Sequence, residues 1–564
     1  DLLADVQFQY NFYAGEDIIT DPYAGVIYGN ERWGRQAEPR LRGGMCRHCY
    51  DWENDAPLMT PLSDTVLYLI HPRGFTCHSS SGVQHRGTYA GITEKLPYLK
   101  ELGITAVELM PSYEFLELEK QERRERSMDE ARNHYMDLPE EKDEPPRINY
   151  WGYKRGYYFA PKMSYSASDC PAEEFKDMVK NAHQNGIEVI MQFYFPADVK
   201  RAYILEVIKY WVFTFHVDGF HLLGMHMPTA LLATEPMLGN TKLFYEDIPC
   251  GEIYDNNDIP VYKNLAVYND DFMYAARHFL KSDEGSLQPM LDLWKKNPKQ
   301  TGVINYITNY SGFTLADLVS FDRKHNEANG EENRDGETYN VSWNCGAEGK
   351  TRKKSILELR LKQMKNAMLL LLTAQGTPMI VSGDEFGFSH GGNNNPYCQD
   401  NAVSWLNWKL METNREFFSF VKEAVAFRKK HPVLHRPDEL TMMDYIACGY
   451  PDLSLHGEEA WKLNADGLSR QAGLMYCGCY AKVDKKNNDN FIYIAYNMHW
   501  EEHDFALPAL PPDLKWAKVL DTVSDRQEEG ENGRTAAVAG RSIQIFESRE
   551  KTGKEKQKAG QKKK

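Results

Sequence analysis

From Thr65 onward the chain alternates short apolar runs with longer stretches of helical spacing. The runs are Val66–Ile70 (VLYLI), Ala106–Met110 (AVELM), Glu188–Phe195 (EVIMQFYF), Gly219–Leu223 (GFHLL), Lys242–Tyr245 (KLFY), Val303–Thr308 and Pro378–Ser382. The helical stretches include Ile92–Leu102, Ala172–Asn185 and Arg201–Phe213. Runs that stay apolar at consecutive positions belong to strands covered on both faces, which is the condition of a parallel sheet with helical crossovers. Seven strands are legible, and a sixth in chain order is expected somewhere in 262–300. Eight such units close into a (β/α)8 barrel.

The pattern differs at both ends. Residues 1–60 hold turn residues and short β-like runs such as Val6–Tyr10, and read as the remnant of a β-domain. The barrel is expected over 61–435 and a small β-sandwich over 436–548, the latter marked by Phe491–Tyr496 (FIYIAY) and Val519. A Lys- and Gln-rich tail, 549–564, has too little apolar surface to offset the entropy of ordering and is expected to be disordered. Residues 119–147 form a charged insertion after the second strand.

Composition narrows the classes of function. The net charge is −15, which argues against a nucleic-acid partner held by phosphate neutralisation. The longest apolar run, Ala367–Ala374, is far short of the roughly 20 residues that span a bilayer, so no membrane partner is expected. No signal peptide is visible, and a cytoplasmic location is the expectation. The ten cysteines follow no regular framework. Cys46-Arg-His-Cys49 is an isolated CxxC without a second ligand pair at zinc-site spacing, so reduced, unpaired thiols are expected.

Three stretches carry a family resemblance: NYWGYKRGYYFAP at 149–161, GFTLADLVSFDRKHNEANGEENRDGETYNVSWNCGAEG at 312–349, and GDEFGFSHGGNNNPYCQDNAVSWLNW at 383–408. Residues 64–115 add to it. These stretches resemble the isoamylase-type bacterial glycogen debranching enzymes of the α-amylase superfamily, glycoside hydrolase family 13. The resemblance implies a (β/α)8 barrel with a C-terminal β-sandwich and part of an N-terminal carbohydrate-binding-like domain. It implies retaining hydrolysis of α-1,6 branch points in glycogen, a reaction for which no metal or organic cofactor is expected.

Retaining glycosidases need a nucleophile and an acid on opposite sides of the scissile bond. In the stretch similar to VDGFRFDLA, Leu223 stands at the nucleophile position and His221 at that of the supporting Arg. In the stretch similar to KLIAEPW the general acid survives as Glu246. In the stretch similar to TAHDGFTL, Ser311 replaces the third carboxylate and Tyr310 the His. In the stretch similar to VILDVVYNH, Gln192 replaces Asp and Ala197 replaces His. Tyr153 falls on the family's Trp-Gly-Tyr, where a ring stacks on the sugar, and Tyr310 adds a ring that either stacks or plugs. In the rim motif Asn401 is followed by Ala402 instead of an acid. Asp218, Asp384 and Glu385 read as structural, and Asp198 is the first surrogate to consider for the missing nucleophile.

The resemblance with these departures supports a pseudoenzyme: a debranching homologue that binds α-glucan, or partners an active isoamylase-type homologue, without efficient hydrolysis. Two alternatives stand beside it: an active α-1,6-glucosidase with a relocated nucleophile, and a scaffold that binds no sugar, its pocket filled by Tyr310 and Leu223.

Overall fold

A computed structural model describes residues 8–35, 40–45, 50–119, 147–255, 258–523 and 534–551. Cys46, Cys49 and most of the charged insertion lie outside the described residues.

Eight parallel strands close into a barrel: β1 (Leu67–Ile70), β2 (Ala106–Leu109), β3 (Glu188–Tyr194), β4 (Gly219–Leu223), β5 (Lys242–Tyr245), β6 (Leu265–Tyr268), β7 (Gly302–Asn305) and β8 (Thr377–Val381). The fold class expected from the apolar runs is the one observed. The strand sought in 262–300 is β6, whose four residues are too few to show a pattern of their own. Register is in step where the site will form: Gln192 of β3 pairs with His221 of β4, and Ile190 pairs with Glu108 of β2.

Crossover helices cover the strands. Helix α1 (Tyr89–Leu102) begins where the Thr88 hydroxyl accepts from Gly91 N–H at 3.2 Å. It ends at Gly103, whose φ of 92° is left-handed and favours glycine. Helix α2 (Pro171–Gln184) has proline in its first turn and Glu173 and Glu174 beside its positive end. It buries Phe175, Met178, Val179 and Ala182, the i, i+3, i+4, i+7 spacing of one face. Helices α3 (Arg201–Phe215), α4 (Asp270–Lys281), α5 (Leu287–Trp294), α6 (Lys354–Thr373) and α7 (Arg415–Lys430) follow.

Two apolar layers result. One lies inside the barrel and contains Leu67, Leu69, Ala106, Ile190, Phe244, Ala266, Ile304 and Met379. The other lies between strands and helices and contains Val107, Val189, Phe193, Phe220 and Leu222. Successive strand residues divide between the two, as a pleat requires. A polar layer interrupts the inner one: Glu108, Gln192 and His221 are all buried there.

Beyond the barrel, β9 (Leu453–His456), β10 (Gln471–Tyr476), β11 (Ile492–Asn497), β12 (Leu514–Asp521) and β13 (Ser542–Glu550) form an antiparallel sheet in the order β9-β10-β11-β13-β12. A hairpin of His503–Ala506 with Thr535–Val538 accompanies it. Strand β13 runs through Arg549 and Glu550, which the sequence reading placed in the tail. Both are paired to β12, to Lys515 and Leu514, so main-chain bonding holds residues whose side chains are polar. At the other end, Gln9–Tyr10, Arg42–Gly44 and Val26–Tyr28 make a three-stranded antiparallel sheet. No helix among the described residues is long and apolar enough to cross a membrane.

Candidate active site

Barrel strands present their functional groups at their C-terminal ends. Leu223 is the last residue of β4. Leu222 belongs to the outer layer, so alternation turns Leu223 towards the barrel axis, where it is part-buried. The chain then turns sharply. Gly224 has φ 122°, and a Cβ there would lie 2.2 Å from the Phe195 carbonyl oxygen, so only glycine follows this path. Glu246 comes directly after β5 and is exposed. Ser311 lies in the loop after β7 and is exposed as well.

The structure brings together a second set of residues beneath them. The Glu108 carboxylate is fully buried on β2. One of its oxygens accepts from Gln192 Nε2 at 2.6 Å and pairs with His221 Nδ1 at 2.7 Å. The other accepts from the Tyr268 hydroxyl of β6. The His221 ring stacks on Tyr268 with centroids 4.0 Å apart and planes 11° from parallel. Gln192 in turn accepts from the Tyr153 hydroxyl through Oε1. The rings of Tyr153 and Tyr310 pack with centroids 4.8 Å apart. The Trp151 ring meets Tyr310 edge-on at 5.3 Å. A continuous polar chain therefore runs from Tyr153 through Gln192 to Glu108, His221 and Tyr268, with the Tyr310 ring packed against its outer end. Burial drives the Tyr310 phenol up to about 12, and burial drives Tyr153 and Tyr268 well above the usual phenol range. All three act as neutral hydroxyls at ordinary pH.

Of the sequence-derived candidates, Tyr153 and His221 belong to this chain, and Tyr310 packs against Tyr153 at its outer end. Glu246 stands at its rim, close enough for its charge to raise Tyr310. Glu108 and Tyr268 were not singled out from the sequence. A carboxylate inside the apolar run AVELM was the available signal for the first; the second lay in the unassigned sixth strand. Asp270, at the start of α4, was also missed. It accepts from the Tyr306 hydroxyl and, like Glu246, acts electrostatically on Tyr310.

The remaining carboxylates are accounted for by local bonds. Asp218 accepts from Val189 N–H at 2.8 Å and pairs with His183 at 2.9 Å. Asp384 accepts from the Thr308 hydroxyl and from Leu315 N–H, and Glu385 accepts from the Tyr68 and Tyr98 hydroxyls. Asp198 is paired with Arg155 in an exposed position. That pair borders a hollow of about 670 Å³ lined also by Tyr23, Phe115, Tyr157 and Tyr203. In the rim motif Asp400 accepts from Arg73, Trp33 and Trp405, and Asn394 bonds to Asn326 and Asn340.

Comparison with known proteins gives this arrangement its family. The α-amylase catalytic-domain family matches residues 69–196. Isoamylase 1, chloroplastic, of Arabidopsis thaliana is 31% identical over 91% of this chain and 74% of its own length. The glycogen operon protein GlgX homolog of Haemophilus influenzae is 33% identical over 74% of this chain and 73% of its own. Pullulanase type I from Bacillus subtilis str. 168, complexed with maltose, superposes with a TM-score of 0.68 over 96% of this chain and 77% of its own, at 19% identity. The last is a likeness of fold. The first two share sequence along most of both chains, and the chain belongs to the isoamylase-type glycogen debranching family of the α-amylase superfamily.

Proposed function

We propose that this chain is a catalytically deficient member of its family, which engages α-glucan as a binding or partner subunit of an active debranching homologue and does not itself cleave branch points. A cytoplasmic setting is part of the same reading. One observation carries it: the positions that deliver nucleophile, supporting cation and sugar platform in the family are here occupied by a leucine and by side chains bonded to one another. Leu223 cannot form a glycosyl ester. His221 is committed to Glu108 and Tyr268, and Tyr310 lies against the ring of Tyr153 that would stack on sugar. Glu246 keeps the acid's place without a nucleophile to work with. Removing a nucleophile from a working site costs on the order of 10⁴-fold or more in rate.

The test is release of reducing ends from glycogen and amylopectin by the purified protein, beside Glu246→Gln and Asp270→Asn variants. The expected result is no release above either variant, together with co-sedimentation of the parent with glycogen. Turnover abolished by Glu246→Gln would favour the reading as a hydrolase with a relocated nucleophile. If Asp270→Asn abolished it too, Asp270 would join Asp198 as a candidate for that nucleophile, to be tested by trapping of a glycosyl ester. Absence of both turnover and glycogen binding would leave the scaffold reading.

A further inference from the structure

Far from the barrel mouth, three cysteines from two segments converge beside the C-terminal sheet. Cys477 follows β10 directly, Cys479 lies in the single 3-10 turn Gly478–Tyr480, and Cys448 comes from the irregular segment between Leu440 and β9. Their sulfur atoms all lie within 4.8 Å of one another. Cys448 Sγ and Cys477 Sγ are 3.8 Å apart. Among the described residues this is the one group of three or more His, Cys, Asp or Glu side chains with that convergence.

We propose that the Cys448, Cys477 and Cys479 thiolates form a binding site for a thiophilic divalent cation of the zinc class. A zinc–sulfur bond of about 2.3 Å places ligand sulfurs about 3.8–4.0 Å apart in tetrahedral or trigonal arrangements, which is the separation of Cys448 and Cys477, with Cys479 within 4.8 Å of both. The ligand set contains sulfur alone, which selects soft metals over magnesium or calcium. Cys477 is buried, while Cys448 and Cys479 are part-exposed, so water can complete a fourth position.

The backbone holds the three residues in place without a cation. The Asp444 carboxylate accepts from Cys448 N–H at 3.0 Å, Gly449 N–H at 2.8 Å and the Tyr480 hydroxyl at 2.8 Å. Asp452 accepts from the amides of Thr441, Met442 and Leu453, and its carbonyl accepts from Cys477 N–H at 3.1 Å. Free thiols are protonated at neutral pH, and a zinc-class cation takes them as thiolates. Binding then exchanges three protons for one zinc ion: three thiols and Zn²⁺ give a zinc tris-thiolate of charge −1 and three H⁺. Zinc here would pin the irregular 441–452 segment, with its exposed Met443, Tyr445 and Ile446, to the sheet.

The test uses full-length protein carrying Cys46→Ser and Cys49→Ser, purified with reductant and stripped by chelator. Zinc chloride is added back, excess removed, and zinc counted by release to a colorimetric chelator. Cobalt chloride serves as a spectroscopic probe of thiolate ligation. The expected result is one zinc per chain, three protons released, and a sulfur-to-cobalt charge-transfer band. Cys448→Ser and, separately, Cys479→Ala should abolish both signals while circular dichroism stays that of the parent. Absence of stoichiometric zinc, retention unchanged in both variants, or a Cys448–Cys477 disulfide under reductant would overturn the proposal.

Discussion

At the scale of single residues, Glu108 sets the character of the site. Its carboxylate is buried and satisfies three donors from three other strands. Glu108→Leu would leave Gln192, His221 and Tyr268 facing an apolar side chain. An unsatisfied buried polar group costs about 1–3 kcal/mol. The variant is therefore expected to unfold at a clearly lower temperature than the parent, whereas Ser311→Ala, at an exposed loop position, should leave the midpoint unchanged. Thermal unfolding followed by circular dichroism reads both. This centre was only half legible in the sequence. The replaced positions, Leu223, His221, Gln192 and Tyr310, stood out against the family pattern. Glu108, the shared partner of Gln192 and His221, did not, because a pairing across the barrel depends on closure, and no local spacing encodes which side chains then face one another.

At the scale of elements, the stretch from His183 to Asp218 couples α2, β3 and β4. His183 bonds to Asp218 at 2.9 Å and to Asp55 at 2.8 Å, and Asp55 also pairs with His216 at 2.6 Å. Burial opposes charge on His183, yet the bonds to Asp218 and Asp55 outweigh it and hold the imidazole up to about 9. The charged form is thus favoured by folding. Its contribution is full below the ordinary value of 6.5 and is lost as pH rises through about 9. The span corresponds to on the order of 3 kcal/mol. His183→Gln should accordingly flatten the decline in unfolding midpoint between pH 7 and pH 9.5; an unaltered decline would place the alkaline sensitivity elsewhere. Elements of this kind were readable from the sequence where apolar runs are long, as in β3. They were least readable in β6, where four residues between turns carry no period.

At the scale of the whole molecule, barrel and C-terminal sheet share a packed boundary. Trp294 at the end of α5 is fully buried, with its ring 4.4 Å from Tyr496 of β11 and 5.5 Å from Phe279 of α4. Thr373 of α6 and Tyr496 are joined through their hydroxyls at 2.7 Å. Arg428 of α7 is buried where its guanidinium donates to the carbonyls of Leu372, Ala374 and Leu434. Truncating a buried tryptophan costs about 3–5 kcal/mol. Trp294→Ala is expected to lower the unfolding of both parts together, seen as one shifted transition in fluorescence and circular dichroism; two separated transitions would show that the parts unfold independently.

The polar chain through the barrel also bears on history. Under the proposed function, putting back a single polar side chain of the family pattern strands a buried partner of this chain. Arg at 221 would need room beside Tyr268, Asp at 192 would face Glu108, and His at 310 would give up the ring packed on Tyr153. Single reversions therefore lead downhill in stability before any chemistry is regained. On the proposed reading, the barrel has acquired a ratchet: a return to hydrolysis requires several coordinated changes, and the intermediates between would be selected against as poorly folded chains.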